Sequence, residues 1–156
     1  MKSVFRTIKS ILLEKKTIEK GIDPSIAKAM ILLEVAEFDE EFTKEERACI
    51  CQILKSDFDL TDQEVTILIS EASANRKQHP DIFYSTRKLN EILSVEEKEE
   101  FMVQIWKVVL ADGKIDYSED VLTRKLINLL RLDRTVWLKT KKIAEKQCGE
   151  NNDIDK

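Results

Sequence analysis

The chain has 156 residues, enough for one domain with a substantial core, and 36% of them are charged against 42% hydrophobic. Its 26 basic and 30 acidic residues are interspersed for a net charge of −4, which leaves no basic stripe to follow a phosphate backbone and excludes nucleic acid as an expected partner. Only 3 glycines and 2 prolines occur, too few for a string of hairpins, and the abundance of good helix formers points to an all-α fold.

In chain order, residues 1–20 place Phe5, Ile8, Ile11 and Leu12 among Arg6, Lys9, Lys15 and Lys16, a basic amphipathic helix ending before Gly21. Such a helix either packs on its own domain or touches a membrane surface or a partner protein. Asp23-Pro24 reads as an N-cap with proline at the first helical position, opening a helix through Ile26, Ala29, Met30, Leu32, Leu33 and Ala36. That helix stops in the acidic stretch Glu37-Phe38-Asp39-Glu40-Glu41-Phe42.

Three capping boxes follow, each a Ser or Thr with Glu three residues on: Thr43 with Glu46, Thr61 with Glu64, and Ser94 with Glu97. The first starts a helix through Ile50, Ile53 and Leu54, and the second a helix to about Asn75. His79-Pro80-Asp81 breaks the chain before a helix from Ile82 to Leu93. The third box opens a helix through Phe101, Ile105, Trp106, Val109 and Leu110, ending in Ala111-Asp112-Gly113-Lys114-Ile115-Asp116. One more helix reaches about Leu130, and a last one spans about Arg134 to Gln147.

Placing Asp39 on Asp112, an offset of 112 − 39 = 73, also places Phe42 on Ile115, Glu46 on Glu119 and Ile53 on Leu126. A one-residue slip then aligns Leu60 with Leu132. The expected architecture is one domain over residues 1–148, of about seven to eight helices, containing two helix-loop-helix halves at about 24–76 and 95–147. Residues 149–156 are expected to form a polar, disordered tail.

Asp112-Gly113-(five residues)-Glu119 reproduces the second half of the calcium loop of EF-hands. Gly113 permits the sharp turn, and Asp116 and Glu119 offer the oxygen ligands that hard cations take. The leading acidic positions of that pattern fall on Val108 and Leu110, so a full calcium site is not encoded. The other loop offers Glu37, Asp39 and Glu46, with Glu40 where the glycine would stand. Two readings stay open for these carboxylates: a divalent cation held weakly between the loops, or simple caps of the following helices.

Val35-Ala36-Glu37-Phe38-Asp39-Glu40-Glu41-Phe42-Thr43 with Glu46, then Phe83, Thr86-Arg87 and Leu89-Asn90, then Trp106, Val108, Ala111-Asp112-Gly113, Ile115-Asp116 and Glu119 resemble the TerB-like family, named after tellurite-resistance protein B. The likeness covers about residues 24–146. It implies a domain of seven or so helices with internal two-fold similarity, and acidic residues that bind divalent metal. Carried over by position, these are Asp112, Asp116 and Glu119, joined by Asp39 and Glu46. It further implies a role in metal-ion or tellurite stress, exercised through a protein partner or a membrane-linked complex. Glu40 in place of the usual glycine and Thr43 in place of an acidic residue make the first site the weaker of the two.

The remaining candidates read more plainly. Cys49, Cys51 and Cys148 form no disulfide framework or zinc motif, which suits free thiols in a reducing, cytoplasmic setting. His79, the only histidine, has no second ligand or base beside it and reads as a loop residue; Trp106 and Trp137 read as core, and Arg87 as solvated. No apolar run approaches the roughly 20 residues of a membrane span, and the charged N-terminus is no secretory signal. Without a phosphate loop, a triad or a distinguished acid–base pair, no enzymatic activity is expected.

Overall fold

Asp23 accepts the N–H of Ile26 at 3.0 Å and Pro24 fills the first turn, so α1 (Pro24–Glu37) begins where its cap dictates. The structure, a computed structural model, describes residues 23–38, 42–113 and 117–154, with side chains as far as residue 149. The expected helix over residues 1–20 lies outside them. The other helices are α2 (Lys44–Phe58), α3 (Asp62–Gln78), α4 (Ile82–Ile92), α5 (Val95–Leu110), α6 (Tyr117–Leu129) and α7 (Thr135–Ile154). All regular structure among the described residues is helical, as composition required.

All three capping boxes form in both directions. The returning bonds run from the Thr43, Thr61 and Ser94 N–H groups to the Glu46, Glu64 and Glu97 carboxylates at 3.0, 3.1 and 3.1 Å. At the His79-Pro80-Asp81 break, Asp81 caps α4 through the Phe83 N–H at 2.9 Å, and the His79 ring stacks on Tyr84 at 3.9 Å.

Two helices organise the interior. On α1, Ile26, Ala27, Ala29, Met30, Ile31, Leu32, Leu33, Val35 and Ala36 are all buried, so the helix is covered on every side rather than along one stripe. Four helices surround it, α2, α3, α4 and α5. The second organiser is α5, which lies against α1, α2, α6 and α7 and buries Phe101, Met102, Ile105, Trp106, Val108 and Val109. Arg76 on α3 fastens that helix to α1, its guanidinium lying 2.7 Å from both Glu34 and Glu37.

Helices α2 and α6 end alike. Asp59 and Arg131 take left-handed backbone angles, φ 50° and 57°. The buried leucine that follows each bonds back into the helix, Leu60 N–H to the Lys55 carbonyl at 3.1 Å and Leu132 N–H to the Ile127 carbonyl at 3.0 Å.

The chain end departs from expectation. Instead of a disordered tail from Gly149, α7 continues to Ile154. Once a helix is nucleated each further residue adds a hydrogen bond, and the single Gly149 costs only about 1 kcal/mol. Among the described residues no helix is long and apolar enough to cross a membrane.

Candidate functional site

The loop after α5 is shaped by its backbone. Gly113 N–H bonds the Leu110 carbonyl at 3.1 Å, and Gly113 itself has φ 75°. A Cβ there would meet no heavy atom within 4 Å, so the backbone angle, not crowding, is what calls for glycine. Asp112, half-buried, stands just before this turn. Glu119 is the third residue of α6 and Glu46 the third residue of α2. The other two expected ligands, Asp39 and Asp116, lie outside the described residues. Among the described residues, no three His, Cys, Asp or Glu side chains are grouped so as to hold a metal ion.

Burial separates these glutamates from ordinary caps. Glu97 holds the same capping-box position as Glu46 and is exposed, and Glu64 is half-exposed, whereas Glu46 keeps 2% of its surface accessible and Glu119 keeps 4%. Removing a carboxylate from water is costly and capping does not require it. Thr43 offsets part of that cost at Glu46, its N–H at 3.0 Å and its hydroxyl at 2.9 Å from one carboxylate oxygen. Beside Glu119, the buried Thr123 hydroxyl donates to the Glu119 carbonyl at 2.9 Å. These side chains offer only oxygen, the donor atom that hard cations such as Ca²⁺ take.

A second feature has no signature in sequence spacing. Cys49 on α2 and Cys148 on α7 line one cavity of about 390 Å³, together with Lys107 of α5. On its rim Asp57 meets Lys28 at 3.3 Å and the Gln104 amide at 2.8 and 2.9 Å. Burial pushes the Cys49 thiol up to about 11, with Cys148 and Glu46 adding to the shift and Lys107 opposing it. Burial also raises Cys148, against the pull of Lys107. The folded protein therefore holds the Cys49 proton more tightly than the unfolded chain does. Its contribution to stability is complete below the ordinary thiol value of 9.0 and is lost as pH climbs toward about 11. Peptide-resolved alkylation with iodoacetamide should show the Cys49 rate climbing through about 11; a midpoint at the ordinary 9.0 would contradict this burial.

Arg87 pairs with Glu91 at 3.8 Å, with both groups largely in solvent. Trp106 is core as expected, while Trp137 is half-buried. In comparison with known proteins, the family model described as Tellurite resistance protein TerB matches residues 25–142. No curated protein and no solved structure matches.

Proposed function

We propose that this chain, which belongs to the tellurite resistance protein TerB family, is a non-enzymatic module that binds a hard divalent cation weakly at its acidic loops. One observation carries the reading. The two glutamates that follow those loops, Glu46 and Glu119, are drawn into the protein, whereas Glu97 caps the same kind of helix start from solvent. Carboxylates so placed gain from a cation more than exposed ones do, because low local polarity strengthens the attraction.

The ligands would be Asp112, Asp116 and Glu119, joined by Asp39 and Glu46. Asp112 and Glu119 flank one loop, so a cation between them would tie the end of α5 to the start of α6. The described carboxylates do not by themselves form a three-ligand group, so affinity is expected in the weak range, a Kd on the order of 10⁻⁴–10⁻³ M. The module would serve metal-ion or tellurite stress through a partner protein.

Calorimetry with Ca²⁺, Mg²⁺ and Mn²⁺ tests the site. Wild type should give a saturable heat, with Ca²⁺ preferred, and Asp112→Asn combined with Glu119→Gln should abolish it while circular dichroism stays unchanged. Equal heats from the two proteins would refute it.

A further inference from the structure

At the corner where α6 turns into α7, Arg124, Ile127, Asn128, Arg134 and Trp137 line a cavity of about 270 Å³. None of these is acidic, although acidic residues outnumber basic ones 30 to 26 in the chain. We propose that this corner binds a phosphate-type oxyanion, a tetrahedral group carrying two negative charges. The proposal is independent of the acidic loops and of any cation there.

The first observation is that Arg124 is held in place without being neutralised. Its Cζ lies 3.9 Å from the Trp137 ring centre. That indole is itself fixed: its Nε1–H donates to Thr123 Oγ1 at 3.0 Å, and its ring meets Trp106 edge-to-face at 5.3 Å and 74°. Stacking occupies the flat face of a guanidinium and leaves its in-plane N–H donors, the fork that matches oxyanions, for another partner. Contrast Arg76, whose fork is filled by Glu34 and Glu37 at 2.7 Å each. Neither Arg124 nor Arg134 makes an ion pair among the described residues.

The second observation concerns Asp133, the carboxylate next to Arg134, which is occupied locally. Asp133 accepts from the Thr135 N–H and hydroxyl, both at 2.9 Å. Asp120, one turn before Arg124 on α6, makes no ion pair with it among the described residues. The Lys141 ammonium adds positive charge near the same indoles without lining the cavity, 5.2 Å from the Trp137 ring centre and 5.4 Å from that of Trp106.

Two guanidiniums from different segments of the chain lining one cavity suit an acceptor with oxygens in several directions, which a tetrahedral anion has and a planar carboxylate does not. Ile127 and Trp137 supply apolar wall beside the charged groups, suited to whatever carries the anion. The same chemistry arrives as free phosphate or as a phosphate monoester, and inorganic phosphate and phenyl phosphate serve as probes for the two.

The test is a ¹H–¹⁵N titration of the full chain with each probe, with ionic strength held constant by chloride. Saturable shifts confined to Arg124 Nε–H, Trp137 Nε1–H and the Asn128 amide support the site. Phenyl phosphate binding tighter than phosphate assigns the ester; equal affinity assigns the free ion. Arg124→Gln and Arg134→Gln should each weaken binding about tenfold, the loss of one charge-assisted contact. Arg134→Gln leaves the ring stack untouched, so its loss of binding is not a folding effect. Asp112→Asn with Glu119→Gln should bind phosphate as wild type does. Overturning results are shifts that chloride alone reproduces, shifts spread over the surface lysines, or full phosphate binding by the double arginine variant.

Discussion

Replacing Leu32 by alanine is expected to destabilise the protein by about 2–5 kcal/mol, a large share of the roughly 5–15 kcal/mol that holds a domain together. The reason lies in the position of α1. Leu32 has no accessible surface, and its helix is enclosed by α2, α3, α4 and α5. With neighbours on every side, no single helix can move in to close the void left by the missing methyl groups. Urea denaturation followed by circular dichroism should show the midpoint lowered by about 1–2 M. Leu138→Ala, on a side chain 48% exposed, is the control and should change stability by less than about 0.5 kcal/mol. A Leu32 variant as stable as that control would mean that α1 is not the central helix.

The loss of Trp106 should be at least as severe, about 3–5 kcal/mol for Trp106→Ala. The indole is wholly buried on α5, donates from Nε1 to Thr140 Oγ1 at 3.2 Å, and packs edge-on against Trp137. Its removal opens a void where α5 meets α7 and leaves Trp137 without its supporting ring. Trp106→Phe restores most of the volume and should recover much of the loss. Thr140 is not stranded by that change, because its hydroxyl also donates to the Val136 carbonyl at 2.6 Å. Near-ultraviolet circular dichroism gives a second reading, since the coupled indole signal should vanish in both variants. Retention of that signal in Trp106→Ala would contradict the geometry.

Local chemistry made most of the fold readable before any coordinates. Asp23, Thr43, Thr61 and Ser94 announce helix starts because a side-chain oxygen one residue outside a helix satisfies N–H groups that nothing else can reach, whereas the cap at Asp81 shows only in the structure. Where a helix ends on a weaker signal the reading slips: Asn75 was expected to close α3, which runs on to Gln78, and Gln147 to close α7, which reaches Ile154. The all-round burial of α1 was also missed, because a spacing argument looks for one apolar stripe and Ala27, Ile31 and Val35 face the other way.

The sequence offers Glu46 and Glu119 as candidate ligands, but their burial depends on which helices close over them. Cys148 lies 99 residues beyond Cys49 (148 − 49), and their shared cavity arises only when α7 folds back beside α5. Arg124 and Trp137 likewise meet only through the angle between α6 and α7.

Thr123 is where two parts of the molecule come to share a single atom. Its hydroxyl oxygen receives the indole hydrogen of Trp137 while its own hydrogen is shared between the main-chain oxygens of Glu119 and Asp120, at 2.9 and 3.0 Å. A tilt of the ring at one end therefore tugs on the first coil of α6 at the other. Replacing Thr123 should disturb the ring and the helix start together, whereas a change confined to the Glu119 carboxyl leaves the main-chain oxygen of this link in place.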